Sequence, residues 1–436
     1  MSIFSHEIWL LVAESLDRDD LRSLSSANAN LHVLFKHRIL GYKFLDTVGR
    51  EPENAAIDFL NIHTRVDVGV CDHKQTTALD WIAIRGHHTL LPLLLARPRG
   101  RRLLENYGAL GDTPLIAAAR NNQAQMTSAL ISAGANVNAC NAAGQTALYW
   151  AISNGNLRIV EILLRAKADV TLRYEGGLTA LWLAAKGRHL AMSELLLSNG
   201  ENANVRDASQ ETMLCWAVKR NSGTYVEMLL NSGASPTLTD KLGREPLTWA
   251  AMAGNVEILQ KLFSRGACPD RKDRCGRTPL AWAVVMGHAD TVRMLLDWGA
   301  DSGKVDKFGW TPIAWAAAQE QKDITSLLLK NGACVEPEHP SHQQPLLWAV
   351  SKQNMSLVRL LLNHGADPMR LDRHGWSPLL EAVQMQDTDM LQLLISESSK
   401  VIDARQSNPY GDSALSLALE LRSRKIATLL RNIVSA

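Results

Sequence analysis

Paired cysteines are missing from this sequence. The six present, Cys71, Cys140, Cys215, Cys268, Cys275 and Cys334, are scattered, and none stands in a C-x-x-C pair. That spacing argues against a zinc site or a secreted disulfide framework and for reduced thiols in a cytosolic or nuclear compartment. Long apolar runs are missing too: "LLPLLLA" from Leu90 is short and broken by Pro92, far below the roughly eighteen residues of a membrane span. The opening "MSIFSHEIWLLVAESLDRDD" has no basic start and carries Glu7 and Glu14 in its apolar stretch, which is unlike a secretory signal. Charge imbalance is small, +2 over 436 residues, so nothing global points to nucleic acid.

Catalytic signatures are absent as well. "GADSGKV" from Gly299 imitates a phosphate loop but is a residue short and has no Ser or Thr for magnesium. His339 and His342 flank Pro340 without a third ligand nearby, a pattern better read as a solvated turn than as a metal site. No Gly-x-Ser-x-Gly elbow or Cys/His nucleophile pair is found. No enzyme activity and no cofactor are expected.

What the sequence does have is a period. "TPLAWAV" begins at Thr278 and "TPIAWAA" at Thr311, and the same slot recurs every 33 residues from Thr146 to Ser377. Copies at Thr77, Thr113 and Ser413 fit with small insertions. A fixed step of this length signals stacked repeats sharing one core between neighbours. Each unit reads physically. Thr278 suits a helix N-cap and Pro279 the first helical position. Leu280, Trp282 and Ala283 face neighbouring helices, and "ADTVRMLLDWGA" repeats Val292, Leu295 and Leu296 at helical spacing. Gly299 sits where a left-handed cap would end the second helix.

With Gly-Ala recurring at Gly134, Gly233, Gly266, Gly299, Gly332 and Gly365, and a turn glycine at Gly111, Gly144, Gly177, Gly243, Gly276, Gly309 and Gly375, the chain resembles the ankyrin repeat, D-x-x-G-x-T-P-L-H-x-A. The resemblance implies an all-α solenoid of about eleven helix-turn-helix units joined by short hairpin-like loops, spanning residues 72–432. The family's histidine after "TPL" is replaced here by Tyr149, Trp182, Cys215, Thr248 or Ala281. Trp occupies the next slot at Trp81, Trp150, Trp216, Trp249, Trp282, Trp315 and Trp348. The period reads this stripe as packing, with Trp249, Trp282 and Trp315 largely buried.

Residues 1–40 do not carry the repeat. Glu7-Ile8, Val12, Leu16, Asp20-Leu21 and Leu24 fall at the spacing of an F-box, which this segment resembles, with Phe4-Ser5 where that family has Leu-Pro. The resemblance implies a helical module docking a Skp-type adaptor, and through it a cullin, by Phe4, Ile8, Val12, Leu16, Leu21 and Leu24. The chain would then be a substrate receptor of a ubiquitin ligase. The alternative is a scaffold whose first helices only cap the array. Residues 41–71 read as a degenerate first repeat, Phe59-Leu60 taking the usual Leu-Leu place, or as a linker.

Two basic features remain. "ARPRGRR" from Ala96 breaks the repeat step and reads as a solvated loop or an anion-binding segment. In ankyrin relatives the turn tips and inner helices bind the partner. Here the tips carry Lys241, Arg244, Arg274, Arg277, Lys307, Phe308 and Trp310, then Arg373, His374 and Trp376. Arginine with aromatic neighbours suits a protein target, acidic or phosphorylated.

Overall fold

In the computed structural model the described residues are 18–27, 29–72, 74–97, 99–108, 111–336 and 343–435. Among them every regular element is a helix and no strand is present. Isolated bridges such as Cys140 with Thr146 and Arg206 with Thr212 close the hairpin-like loops. Phe4, Ile8, Val12 and Leu16 lie outside the described residues, as do His339 and His342. No helix among the described residues is long and apolar enough to cross a membrane.

The chain divides into two units, Met1–Asn202 and Ala203–Ala436. The first unit opens with α1 (Arg18–Ala27), α2 (Ala29–Arg50) and α3 (Glu53–Ile62). Leu21 of α1 is fully buried against Phe35 of α2, with Leu24, Ile39 and Tyr42 packed round them. Helix α2 then runs on without a break at residue 40, where the sequence suggests a boundary. Its second half places Phe44, Leu45 and Val48 in the same core as Leu60 of α3 and Leu79 and Ile82 of the first full repeat. Phe59 packs half-buried at 5.8 Å from Phe44. The end of α2 and the helix α3 thus pack together against the first full repeat. Gly41 is needed inside α2 because a Cβ there would meet the Asp67 carbonyl oxygen at 2.2 Å; the loop after α3 lies directly on the helix.

Eleven helix pairs follow, four in the first unit from Ala78–Arg85 and seven in the second from Met213–Lys219. Capping follows the sequence. The Thr278 hydroxyl accepts from the Ala281 amide at 3.2 Å, Pro279 opens the helix Pro279–Val285, and Thr311 does the same for Pro312–Ala318. Ala283 and Ala316 are buried and let successive inner helices approach closely, while Leu295 and Leu328 carry the outer helices into the core. Burying side chains of that size contributes roughly 1.5–3 kcal/mol each.

The basic insertion is neither free nor wholly solvated. Arg97 donates to the Leu60 and Thr64 carbonyls at 2.6 and 2.7 Å, satisfying the C-terminal end of α3. Arg101 and Arg102 remain exposed.

Candidate recognition surface

Three adjoining repeats of the second unit each start the inner helix from a turn built on one aspartate. The Asp273 Oδ1 accepts from the amides of Cys275 and Arg277 at 2.8 and 2.9 Å, and Asp240 and Asp306 do the same in their repeats. The second oxygen of the same carboxylate faces the inner helix. There it accepts the indole N–H of the tryptophan nine residues on: Trp249 to Asp240 at 3.1 Å, Trp282 to Asp273 at 2.9 Å, Trp315 to Asp306 at 3.3 Å. In these three repeats turn and stripe are thus held by one residue.

That bond fixes the indoles edge-in and face-out. Trp81, Trp150, Trp216, Trp249, Trp282, Trp315 and Trp348 are all half-buried rather than largely buried. Deep burial goes instead to Trp182, which fills the family's histidine slot and is 1 % exposed. The stripe departs from the core expectation because its ring faces are covered by side chains from the turns.

They are arginines of the turns, joined by Lys219 at the end of the preceding inner helix. Lys219 Nζ lies 4.0 Å from the Trp249 ring; the Arg244 guanidinium lies 4.4 Å from Trp249 and 5.8 Å from Trp282. Arg277 lies 4.7 Å from Trp282 and 4.8 Å from Trp315. In the next repeat the same position is Trp310, stacked at 4.2 Å on Trp315 and 5.1 Å from Trp348. The result is a ladder in which every rung is shared by adjoining repeats. A cation over an indole contributes about 0.5–2 kcal/mol, more as water is excluded. Arg277 also donates from Nε to Asp306 of the following repeat at 3.3 Å, with Asp306 almost wholly covered.

The predicted partner-binding residues therefore separate into two sets. Arg244, Arg277 and Trp310 turn inwards into the ladder, because a flat guanidinium or indole can lie between rings where a solvated tip cannot hold it. Lys241, Arg274, Lys307, Phe308 and Arg373 stay on exposed tips, Phe308 at 59 %. The tips are tied in sequence: the Arg274 amide donates to the Leu242 carbonyl at 2.9 Å and the Lys307 amide to that of Cys275 at 3.0 Å. Arg277, Lys307, Phe308, Trp310 and Arg373 line one cleft of about 620 Å³. Lys241, Arg244 and Arg274 do not reach it, while Trp376 lines an adjoining cleft with Trp310 and Arg373. In the N-terminal set Leu21 is buried and Leu24 half-buried on the α1–α2 core.

The aspartates were the residues sequence reasoning missed. Their signal is an Asp nine positions before each Trp at 240, 273 and 306, in the same step of 33. Elsewhere two carboxylates that burial disturbs sit at helix starts. Glu245 takes the N-cap slot that Thr holds in neighbouring repeats, makes no cap bond, and is pushed up to about 7 by burial, partly countered by Arg271. In the first unit Glu201 accepts from the Leu181 amide with both oxygens and is likewise raised to about 7 by burial.

Residues 81–174, 166–240, 226–306 and 299–372 match the family model described as Ankyrin repeats (3 copies), and no F-box model matches the first helices. Such repeats are typically interaction modules rather than enzymes. With the overlapping matches running from 81 to 372, well over half of the sequence, the capped helix pairs, their turn aspartates and their glycine-ended outer helices have a common explanation: the chain belongs to the ankyrin-repeat family.

Proposed function

We propose that the protein is a non-catalytic receptor that holds a protein target on the tip edge of its second unit. The observation that carries this reading is the cleft where Lys307, Phe308 and Arg373 meet above the Arg277–Trp310 rungs. Two cations and an exposed phenyl ring beside fixed indoles suit a segment with acidic or phosphorylated residues and one apolar side chain. Arginine and aromatic residues supply most interface energy, and the rung residues are already ordered. Changing Lys307 and Arg373 to Glu and Phe308 to Ser leaves the ladder intact. That variant is expected to lose the native partners captured at low and moderate salt; an unchanged partner set at both salt levels refutes the reading.

The finer reading is a substrate receptor of a Skp–cullin–F-box ligase, in which residues 1–40 dock the adaptor and the array raises the local concentration of target. Its support is the spacing of Ile8, Val12, Leu16 and Asp20-Leu21. The scaffold alternative has an observation of its own: Leu21 is spent on Phe35, and α2 runs unbroken into the first repeat, as a capping element would. Co-purification decides between them. A Skp-type adaptor retained by the native chain and lost from the Ile8→Ala/Leu16→Ala variant supports the ligase; no adaptor in either supports the cap.

A further inference from the structure

The ladder is periodic, and near its end the period is broken in an informative way. Arg277 lies between Trp282 and Trp315 and donates to Asp306. Two repeats later each of these places falls sixty-six residues on: 277 becomes Gln343, 282 becomes Trp348, 306 becomes Asp372 and 315 becomes Glu381. One indole and the carboxylate are kept, the guanidinium is gone, and the second indole has become another carboxylate.

Gln343 does not fill the place of the arginine. Nine residues before Trp348 stands His339 instead of Asp, so the Gln343 side chain takes over that duty and accepts the Trp348 indole N–H at 3.2 Å. Asp372 Oδ1 accepts from the amides of His374 and Trp376, both at 2.8 Å. Its other oxygen has no indole to accept from, because the residue nine on is Glu381. Glu381 accepts the Trp376 indole N–H through Oε2 at 2.6 Å. What remains is a cleft of about 360 Å³ walled by Trp310, Trp348 and Trp376 and floored by Asp372 and Glu381, within the size range of small-ligand sites. Arg373 is the cation on its lining, and on the exposed tip its Nε donates to His374 Nε2 at 2.9 Å.

We propose that this cleft takes an arginine side chain from the partner, its guanidinium standing where Arg277 stands two repeats earlier. Indole faces and carboxylates both favour a cation. The chain's own rungs indicate which one, since a planar guanidinium both stacks on an indole and donates in-plane to a carboxylate, which an ammonium does not. The inference rests on reading the array as a protein-recognition surface and names one side chain of what it recognises.

The test titrates the full-length protein with N-acetyl-arginine methylamide, its uncharged citrulline analogue and the trimethyl-lysine analogue, reading the indole N–H resonances of Trp348 and Trp376. The arginine probe is expected to saturate at about millimolar concentration, with the citrulline probe silent. Glu381→Gln is expected to weaken binding on the order of tenfold. Gln343→Arg restores the missing rung from within, so it is expected to abolish binding while the circular dichroism spectrum stays native. Equal binding of citrulline, tighter binding of trimethyl-lysine, or full arginine binding to Gln343→Arg each overturns the proposal. Failure here with partner capture still dependent on Lys307 and Arg373 leaves the tip reading standing; the reverse result removes the tip reading and keeps the cleft.

Discussion

Glu245 offers a sharp test of how this array is held together. It occupies the N-cap of Pro246–Ala253, is 3 % exposed, makes no cap bond, and has one oxygen buried without a hydrogen-bond partner. Arg271 at 3.6 Å is its ion-pair partner, and that side chain is mostly exposed. Burial lifts its carboxyl from the ordinary 4.5 to about 7, which corresponds to about 3 kcal/mol of destabilisation once it is forced to ionise. The folded-state value is raised, so the contribution of Glu245 to stability is greatest below 4.5 and is lost as pH climbs through about 7. Replacing it by the threonine of neighbouring repeats removes that penalty and adds a cap worth about 1 kcal/mol. Glu245→Thr is therefore expected to stabilise its repeat by about 3–4 kcal/mol at pH 8 but only about 1 kcal/mol at pH 4.5. Stacked repeats open locally, so the measurement is hydrogen exchange of peptides covering 246–263 in the whole protein, corrected for intrinsic rates. A gain equal at both pH values would show that only the cap matters, and a loss at pH 8 would show that the ionised carboxylate stabilises through Arg271. Either outcome refutes the reasoning.

Four further expectations follow from the same contacts. In the first unit, Glu201 is also raised to about 7, so corrected protection of the helix Ala180–Lys186 should fall between pH 5 and pH 8; a flat profile argues against a buried, reluctant carboxylate. Gly276 has φ of 79° and a Cβ there would meet the Lys307 amide at 3.0 Å, so Gly276→Ala should destabilise by more than 1 kcal/mol, checked by thermal unfolding. A double-mutant cycle of Trp282→Leu with Arg277→Met should return a coupling of about 1 kcal/mol, and additivity of the two changes would deny the rung. Asp306→Asn keeps the turn acceptor but weakens the bonds to Trp315 and Arg277, so loss of exchange protection should spread to the repeats on both sides of it.

Much of the fold was legible because its determinants are local and recur. Thr278, Pro279 and Gly299 announce start and stop within one repeat, and each does what its position predicts. The ladder was less legible because its partners lie a repeat apart: nothing in the window around Arg277 says that Trp315 will cover its other face. Tip position alone suggested solvated charges, and only the placed indoles turn Arg244 and Arg277 inwards. At the N-terminus the F-box-like spacing of Leu21 and Leu24 implied a helix, and both lie on α1. Spacing does not tell whether an apolar face meets a partner or its own chain, and Leu21 meets Phe35. Spacing is equally silent on where α2 ends, and it runs on past residue 40. No breaker interrupts α2, whose only glycine near that point, Gly41, serves the approach of the loop at Asp67.

The shared rungs also bear on how such a chain can be cut and rejoined. Arg277 belongs by number to one repeat, yet half of its contacts, Trp315 and Asp306, belong to the next. A transplanted 33-residue segment that begins and ends at the turns would therefore carry each arginine away from one of its indoles. Cutting within the outer helices does not avoid this, because Arg277 and Trp315 are further apart than one 33-residue step; only a segment of two repeats keeps Arg277 with Trp282, Asp306 and Trp315. The smallest exchangeable module of this protein therefore spans two repeats, whichever element carries its joints.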